Sequence, residues 1–114
     1  MTHRFALVGA FDGGAMVGVI GLQSCGDVGL LRSLAVDPAH RDHGIARALC
    51  DLAFEVARAR DMRELWLLTT TAETYFARLG FTLVAREAAP AQVRATAQFA
   101  SLCPATARVM RRQR

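Results

Sequence analysis

The chain has 114 residues, 53% of them hydrophobic and 21% charged, a balance that suits one folded domain spanning 1–114 and excludes an intrinsically disordered chain. Its basic residues are all arginine, and the formal charge of +4 favours an anionic partner; no arginine–aromatic platform or recognition-helix motif marks a nucleic-acid binder. Every apolar run is too short for the ~20 residues of a membrane-spanning helix, and the first residues carry no secretory cleavage pattern, so the expected location is the cytoplasm.

Residues 4–11 read as a strand, and Asp12-Gly13-Gly14 as a tight hairpin turn, because Asp-Gly supplies the positive φ angles such turns require. Residues 15–23 return as a second strand, and 29–36 form a third that Asp37-Pro38 ends, giving an antiparallel meander. From Ile45 the spacing changes. Ile45, Leu49, Leu52, Ala53, Val56 and Ala57 recur at helical intervals, which predicts a helix over 45–60.

Residues 65–69 are apolar on both faces and predict a buried strand reached by a crossover. Thr70 with Glu73 reads as a capping box opening a helix to Leu79, and Gly80 fits the left-handed position after it. A strand over 81–86, a helix over 90–101 started by Pro90, and a last strand over 105–111 complete the order β-β-β-α-β-α-β-α-β. The expected fold class is α/β, a mixed sheet with helices packed on it.

Cys25, Cys50 and Cys103 are too few and too scattered for a disulfide framework or a zinc site, and Cys50 falls among the apolar positions of a helix. His40 and His43 lie three apart with no third ligand in view, so no metal is expected.

The stretch that carries chemistry runs from Leu34 to Ala46, where a strand ends, a loop turns and a helix begins at Gly44-Ile45-Ala46. The first turn of a helix leaves about four N–H groups without internal partners, and with the helix dipole they form an anion site. Gly44 leaves room for a phosphate to reach the backbone, and Arg41 and Arg47 add positive charge; a pyrophosphate suits such a mouth. The competing reading is an ordinary connection with solvated arginines. A Walker loop is excluded by the lack of lysine, and a dinucleotide fingerprint by the single glycine.

Val36-Asp37-Pro38 followed by Arg41-x-x-Gly44-x-Ala46 resembles the acyl-CoA-binding motif of the GNAT N-acetyltransferase superfamily. Tyr75-Phe76-Ala77-Arg78-Leu79-Gly80-Phe81 resembles that family's second signature, a helix closing on Gly-Phe. The similarity covers about residues 15–86. It implies acetyl-CoA as co-substrate, with Leu34, Ala35 and Val36 bonding pantetheine, Arg41, Asp42, His43, Gly44, Ile45 and Ala46 cradling the pyrophosphate beside Arg47, and a splay between the third strand and 65–69 that admits the thioester. Residues 30–36, 67–72 and 101–105 are similar to acetyltransferases associated with arsenic resistance, and the Leu-Thr-Thr and Gly-Phe segments to the acetyltransferase domain of N-acetylglutamate synthases; both imply an amino-acid-like acceptor.

Two catalytic positions depart from the family pattern. The glutamate that accepts the amine proton in many relatives corresponds to Leu30, and the tyrosine that serves as general acid corresponds to Phe76. Tyr75, about 100° round the helix, is the candidate acid, against the alternative of a packed tyrosine. Arg32, placed with Leu30, Leu34 and Val36 on one strand face, is either a clamp for an acceptor carboxylate or a surface ion-pair residue, and Thr69 is a second candidate contact for the acceptor. Relatives also begin with a strand and helices that wall the acceptor pocket; the chain reads as N-terminally shortened, which predicts an exposed apolar face and a homodimer. A non-catalytic acyl-CoA-binding module fits the same departures.

Overall fold

The computed structural model describes residues 5–40, 44–101 and 107–113. Strands β1 (Phe5–Asp12), β2 (Ala15–Cys25) and β3 (Val28–Val36) form the antiparallel meander, helix α1 (Ile45–Ala59) crosses over, and β4 (Glu64–Thr69) lies parallel to β3. Helix α2 (Glu73–Arg78), strand β5 (Thr82–Val84), helices α3 (Ala91–Arg94) and α4 (Ala97–Ser101), and strand β6 (Arg108–Gln113) follow. The sheet order is β1-β2-β3-β4-β6-β5, the mixed architecture that the element pattern predicts.

Each sheet face has its own apolar core. On one side α1 buries Leu49, Cys50, Ala53 and Ala57 against Ile20, Leu22, Leu31 and Leu67. The helix lies close because β2 carries Gly18 beneath it: a Cβ there would stand 3.0 Å from Ile45 Cγ2 and 3.1 Å from Leu49 Cδ1. On the other side Trp66, Leu30, Val28 and Leu68 pack with Val93 and Phe99 from the two short helices. Trp66 Nε1 donates to Glu64 Oε1 at 3.1 Å, so the buried indole keeps its hydrogen bond.

The feature that shapes the site is the meeting of β3 and β4. Their pairing is confined to Val28 with Glu64, Gly29 with Leu65 and Leu30 with Trp66. Beyond Leu30 they separate, because β4 bonds along its whole length to β6 while β3 stays with β2. The splay implied by the resemblance is therefore present.

Within β3, Ser33 takes φ +60°, a left-handed conformation in a non-glycine residue, and the register with β2 slips between Val19 and Gly21. The extra residue inverts the alternation that a regular strand would keep. Leu31 and Leu34 both pack toward the α1 core, and Val36 lies opposite Gly18 on that face. Arg32 stays with Leu30 on the other face, where Nη1 donates to Gln23 Oε1 at 3.3 Å. The expectation that Arg32, Leu34 and Val36 share a face is thus corrected by the bulge.

Two local expectations also change. Thr70 does not cap α2: the helix opens after Ala72 without a side-chain cap, and the hydroxyl that accepts a backbone N–H there is Thr69 Oγ1, from Ala72 at 2.9 Å. The helix expected over 90–101 is two pieces. Thr96 Oγ1 donates to Val93 O at 2.7 Å and accepts the N–H of Phe99 at 3.3 Å, so its side chain ends one turn and starts the next. Gly80 does take a left-handed conformation, φ +93°.

Candidate active site

The site begins at the mouth of α1. Gly44 occupies the N-cap with φ 74° and ψ 11°, and no side chain caps the helix there. Among the described residues outside its chain neighbours, no atom lies within 4 Å of where a Cβ on Gly44 would stand. A helix of 15 residues thus presents its first turn and positive end to a cleft, with no side-chain cap among the described residues. Arg47, in that turn, pairs with Asp51 at 3.4 Å and remains exposed. Arg41, Asp42 and His43, expected to complete the cradle, lie outside the described residues.

The opening leads into a cleft of about 650 Å³. Its walls are Leu34, Ala35 and Val36 at the free end of β3, Gly44, Ile45, Ala46 and Arg47 at the start of α1, and Ala72 and Tyr75 from α2 and its approach. All the described residues expected to hold the cofactor, and the candidate acid, share this one cavity. His40 lines it too; its Nε2 is 3.1 Å from Asp12 Oδ2, tying the hairpin tip to the loop.

Tyr75 stands edge to face with Phe76, ring centroids 5.4 Å apart. Its Oη is buried and has no hydrogen-bond partner among the described residues. Burial pushes the phenol above its usual pKa, the neighbouring Cys50 and Asp51 add to that and Arg47 opposes it, so the group holds its proton at neutral pH. Phe76, at the position of the family's tyrosine, is buried in the core against Phe81. Leu30, at the position of the family's glutamate, is fully buried beside Trp66.

A second cleft, about 200 Å³, lies in the split itself. Arg32, Ser33 and Leu34 form its β3 wall, Leu67 to Thr69 its β4 wall, and Gln98 of α4 reaches it from the side. Leu34 and Ala72 line both clefts, so the two are neighbours around the end of β3. Arg32 and Thr69, expected to meet the acceptor, are brought together here. His40 was weighed from the sequence only as a metal ligand, and Ala72, Thr71 and Gln98 were not singled out, since nothing local marks them. Among the described residues no group of three or more His, Cys, Asp or Glu could hold a metal ion.

This geometry sets the frame for likeness to known proteins. The chain is 45% identical over 56 residues to an amino-acid acetyltransferase of Mycobacterium tuberculosis, a match covering 49% of this chain and 32% of that protein. Its fold superposes on a GNAT-family acetyltransferase from Staphylococcus aureus with a TM-score of 0.80 at 19% identity, covering 96% of this chain and 68% of that one. An N-acetylglutamate synthase from Neisseria gonorrhoeae, solved with coenzyme A and N-acetyl-glutamate, gives 0.79 at 23% identity over 90% of this chain and 24% of the synthase. A Mycobacterium tuberculosis protein solved with CoA gives 0.79 at 29% identity, covering 95% and 75%. The sequence profile of the Acetyltransferase (GNAT) family matches residues 1–81, and the chain belongs to that family.

Proposed function

We propose that this protein transfers the acetyl group of acetyl-CoA to the amine of a small, amino-acid-like acceptor. The observation that carries the reading is the single large cleft that joins the uncapped mouth of α1, the free end of β3 and the Tyr75 side chain. A diphosphate fits that mouth: Gly44 leaves the space open and Arg47 brings charge. A pantetheine arm running along Leu34 to Val36 would then deliver the thioester to the split, where the second cleft lies.

The residues divide the chemistry as follows. A backbone N–H of β3 near Leu34 polarises the thioester carbonyl. The neutral amine attacks that carbon, forming the C–N bond as the C–S bond breaks. Tyr75 Oη supplies the proton for the departing thiolate, and the amine proton leaves through water, since Leu30 offers no base at that point. Arg32 clamps the acceptor carboxylate, and Thr69 orients it. An orphaned buried hydroxyl in the cofactor cleft supports the role given to Tyr75.

The curated and solved relatives named for amino-acid chemistry support the acceptor class, although the chain spans only 32% of the former and 24% of the gonococcal synthase. Similarity in 30–36 and 67–72 supports a kinship with acetyltransferases of arsenic resistance. Leu7, Phe11 and Met16, apolar and exposed around β1, support a homodimer that would cover them. We place the protein in the cytoplasm, where acetyl-CoA and amino acids are available.

Isothermal titration with acetyl-CoA tests the cofactor assignment, and absence of heat at high micromolar ligand defeats it. Thiol release across a panel of amino acids tests the transfer. Binding of acetyl-CoA with no acceptor giving release would replace the enzyme by a non-catalytic acyl-CoA-binding module.

A further inference from the structure

The cleft between the split strands has an unusual balance of polar groups. Among the described residues Arg32 is the one charged side chain on its wall, and no Asp or Glu lines it. The guanidinium is held from beneath: Gln23, buried on β2, accepts the Nη1–H of Arg32 at 3.3 Å. The same cleft is lined by the hydroxyl residues Thr69 and Thr71 and, from the side, by Gln98, whose Oε1 is buried. The remainder is apolar, including Leu31, Leu67 and Phe76.

We propose that Gln98 is a specificity-determining residue that receives the acceptor's carboxylate together with Arg32, from α4 at the side of the split. This rests on the acetyltransferase reading and narrows its acceptor to small amines that carry a carboxylate. The chemical reason lies in the pairing of a fixed cation with a neutral amide. A carboxylate has lone pairs beyond those a single guanidinium edge can use, and a carboxamide N–H donates to an anion without adding charge. A carboxylate at position 98 would set like charges face to face in a largely apolar cleft. An amine without a carboxylate gains nothing from either residue and leaves Arg32 desolvated without an anion.

The position of α4 makes the assignment physical. The helix is held by Thr96, which bonds both Val93 O and the Phe99 N–H, and by Phe99, buried in the core beside Trp66. Gln98 therefore approaches the cleft from a short, anchored element, which favours a residue that selects among ligands over one that adapts to each.

The test compares wild type with Gln98→Glu and Gln98→Leu on amino acids and on the matching amines that lack the carboxylate. Wild type should prefer the amino acid by about tenfold or more in kcat/KM, a difference of one decade in binding. Gln98→Glu should abolish that preference through KM, with kcat and the acetyl-CoA Kd within about twofold of wild type, and Gln98→Leu should fall between. Titration of the same ligands into the CoA-saturated protein reads the same preference without turnover. A folded Gln98→Glu variant that keeps the wild-type preference overturns the proposal alone. Failure of wild type to bind acetyl-CoA overturns the acetyltransferase reading with it.

Discussion

Tyr75 and Phe76, adjacent in sequence and edge to face at 5.4 Å, divide two tasks: Phe76 is buried in the α1 core, and Tyr75, packed at its edge, lines the cofactor cleft. One residue of offset thus separates a structural aromatic from one able to exchange a proton. Tyr75→Phe should lower kcat by about 10²-fold, the scale of a lost general acid, with acetyl-CoA affinity nearly unchanged. Stability should change little, since the Oη has no hydrogen-bond partner among the described residues. Steady-state kinetics with thermal unfolding as a control would decide it; an unchanged kcat removes Tyr75 from the mechanism.

The phenol also sets a pH dependence. Its folded pKa is raised above the ordinary value of 10.0, so the folded state keeps the proton after the unfolded state has lost it. Stability from this group is complete below pH 10 and declines as pH rises past the unfolded value. Wild type should lose stability in this range faster than Tyr75→Phe, a comparison that unfolding midpoints at pH 9 and 11 would make.

Gly44 stands at φ +74°, and a Cβ there meets none of the described residues beyond its chain neighbours. The cost of Gly44→Ala in stability should therefore be the left-handed strain, about 1–2 kcal/mol. Acetyl-CoA affinity should fall further, by about tenfold or more, because the methyl group enters the space a phosphate would use. Unfolding and titration on one variant separate the two effects; equal affinity would show that no ligand approaches there.

Gly29 marks the last stretch where β3 and β4 pair, and a Cβ there would lie 2.6 Å from Met62 Sδ and 2.9 Å from Leu22 Cδ1 and Leu65 Cδ2. Gly29→Ala should cost about 1–3 kcal/mol through overpacking. Denaturant unfolding checks the figure. A neutral result would mean that the strands meet less tightly than described.

Cys25 and Cys50 are buried, and the Cys50 thiol is pushed up to about 11, first by burial and then by Asp51, with Arg47 opposing. Neither should react with a thiol reagent at pH 8, where the thiolate fraction is minute. In a Cys103→Ser background, native protein should release no colour with a disulfide reagent, and denatured protein should titrate both thiols.

Much of this could be read along the chain. Hydrophobic spacing located the meander, the crossover helix and the buried fourth strand, because period 2 and period 3.6 are set by local geometry. Gly80 was visible for the same reason, since a left-handed residue after a helix is a local demand, whereas Gly44 was read as room for a phosphate and its left-handed conformation comes from the structure. The sequence could not place Arg32 relative to Leu34, since the Ser33 bulge that parts them is stabilised by pairing with β2. It misassigned the hydroxyl at the start of α2 to Thr70, because Thr69 Oγ1 and the Ala72 N–H meet only once β4 ends where it does. The helix over 90–101 looked continuous because Thr96 reads as one more helical residue until its hydroxyl bonds both neighbouring turns.

What the amino-acid order determined was therefore local: which segments are strands or helices, where backbone N–H groups are left open, and which family's motif they spell. The tertiary structure decided which side chains share a cavity. Gln98 and Arg32 lie 66 positions apart in the numbering, and only the short pairing of β3 with β4, by leaving a gap that α4 can border, brings them to one cleft.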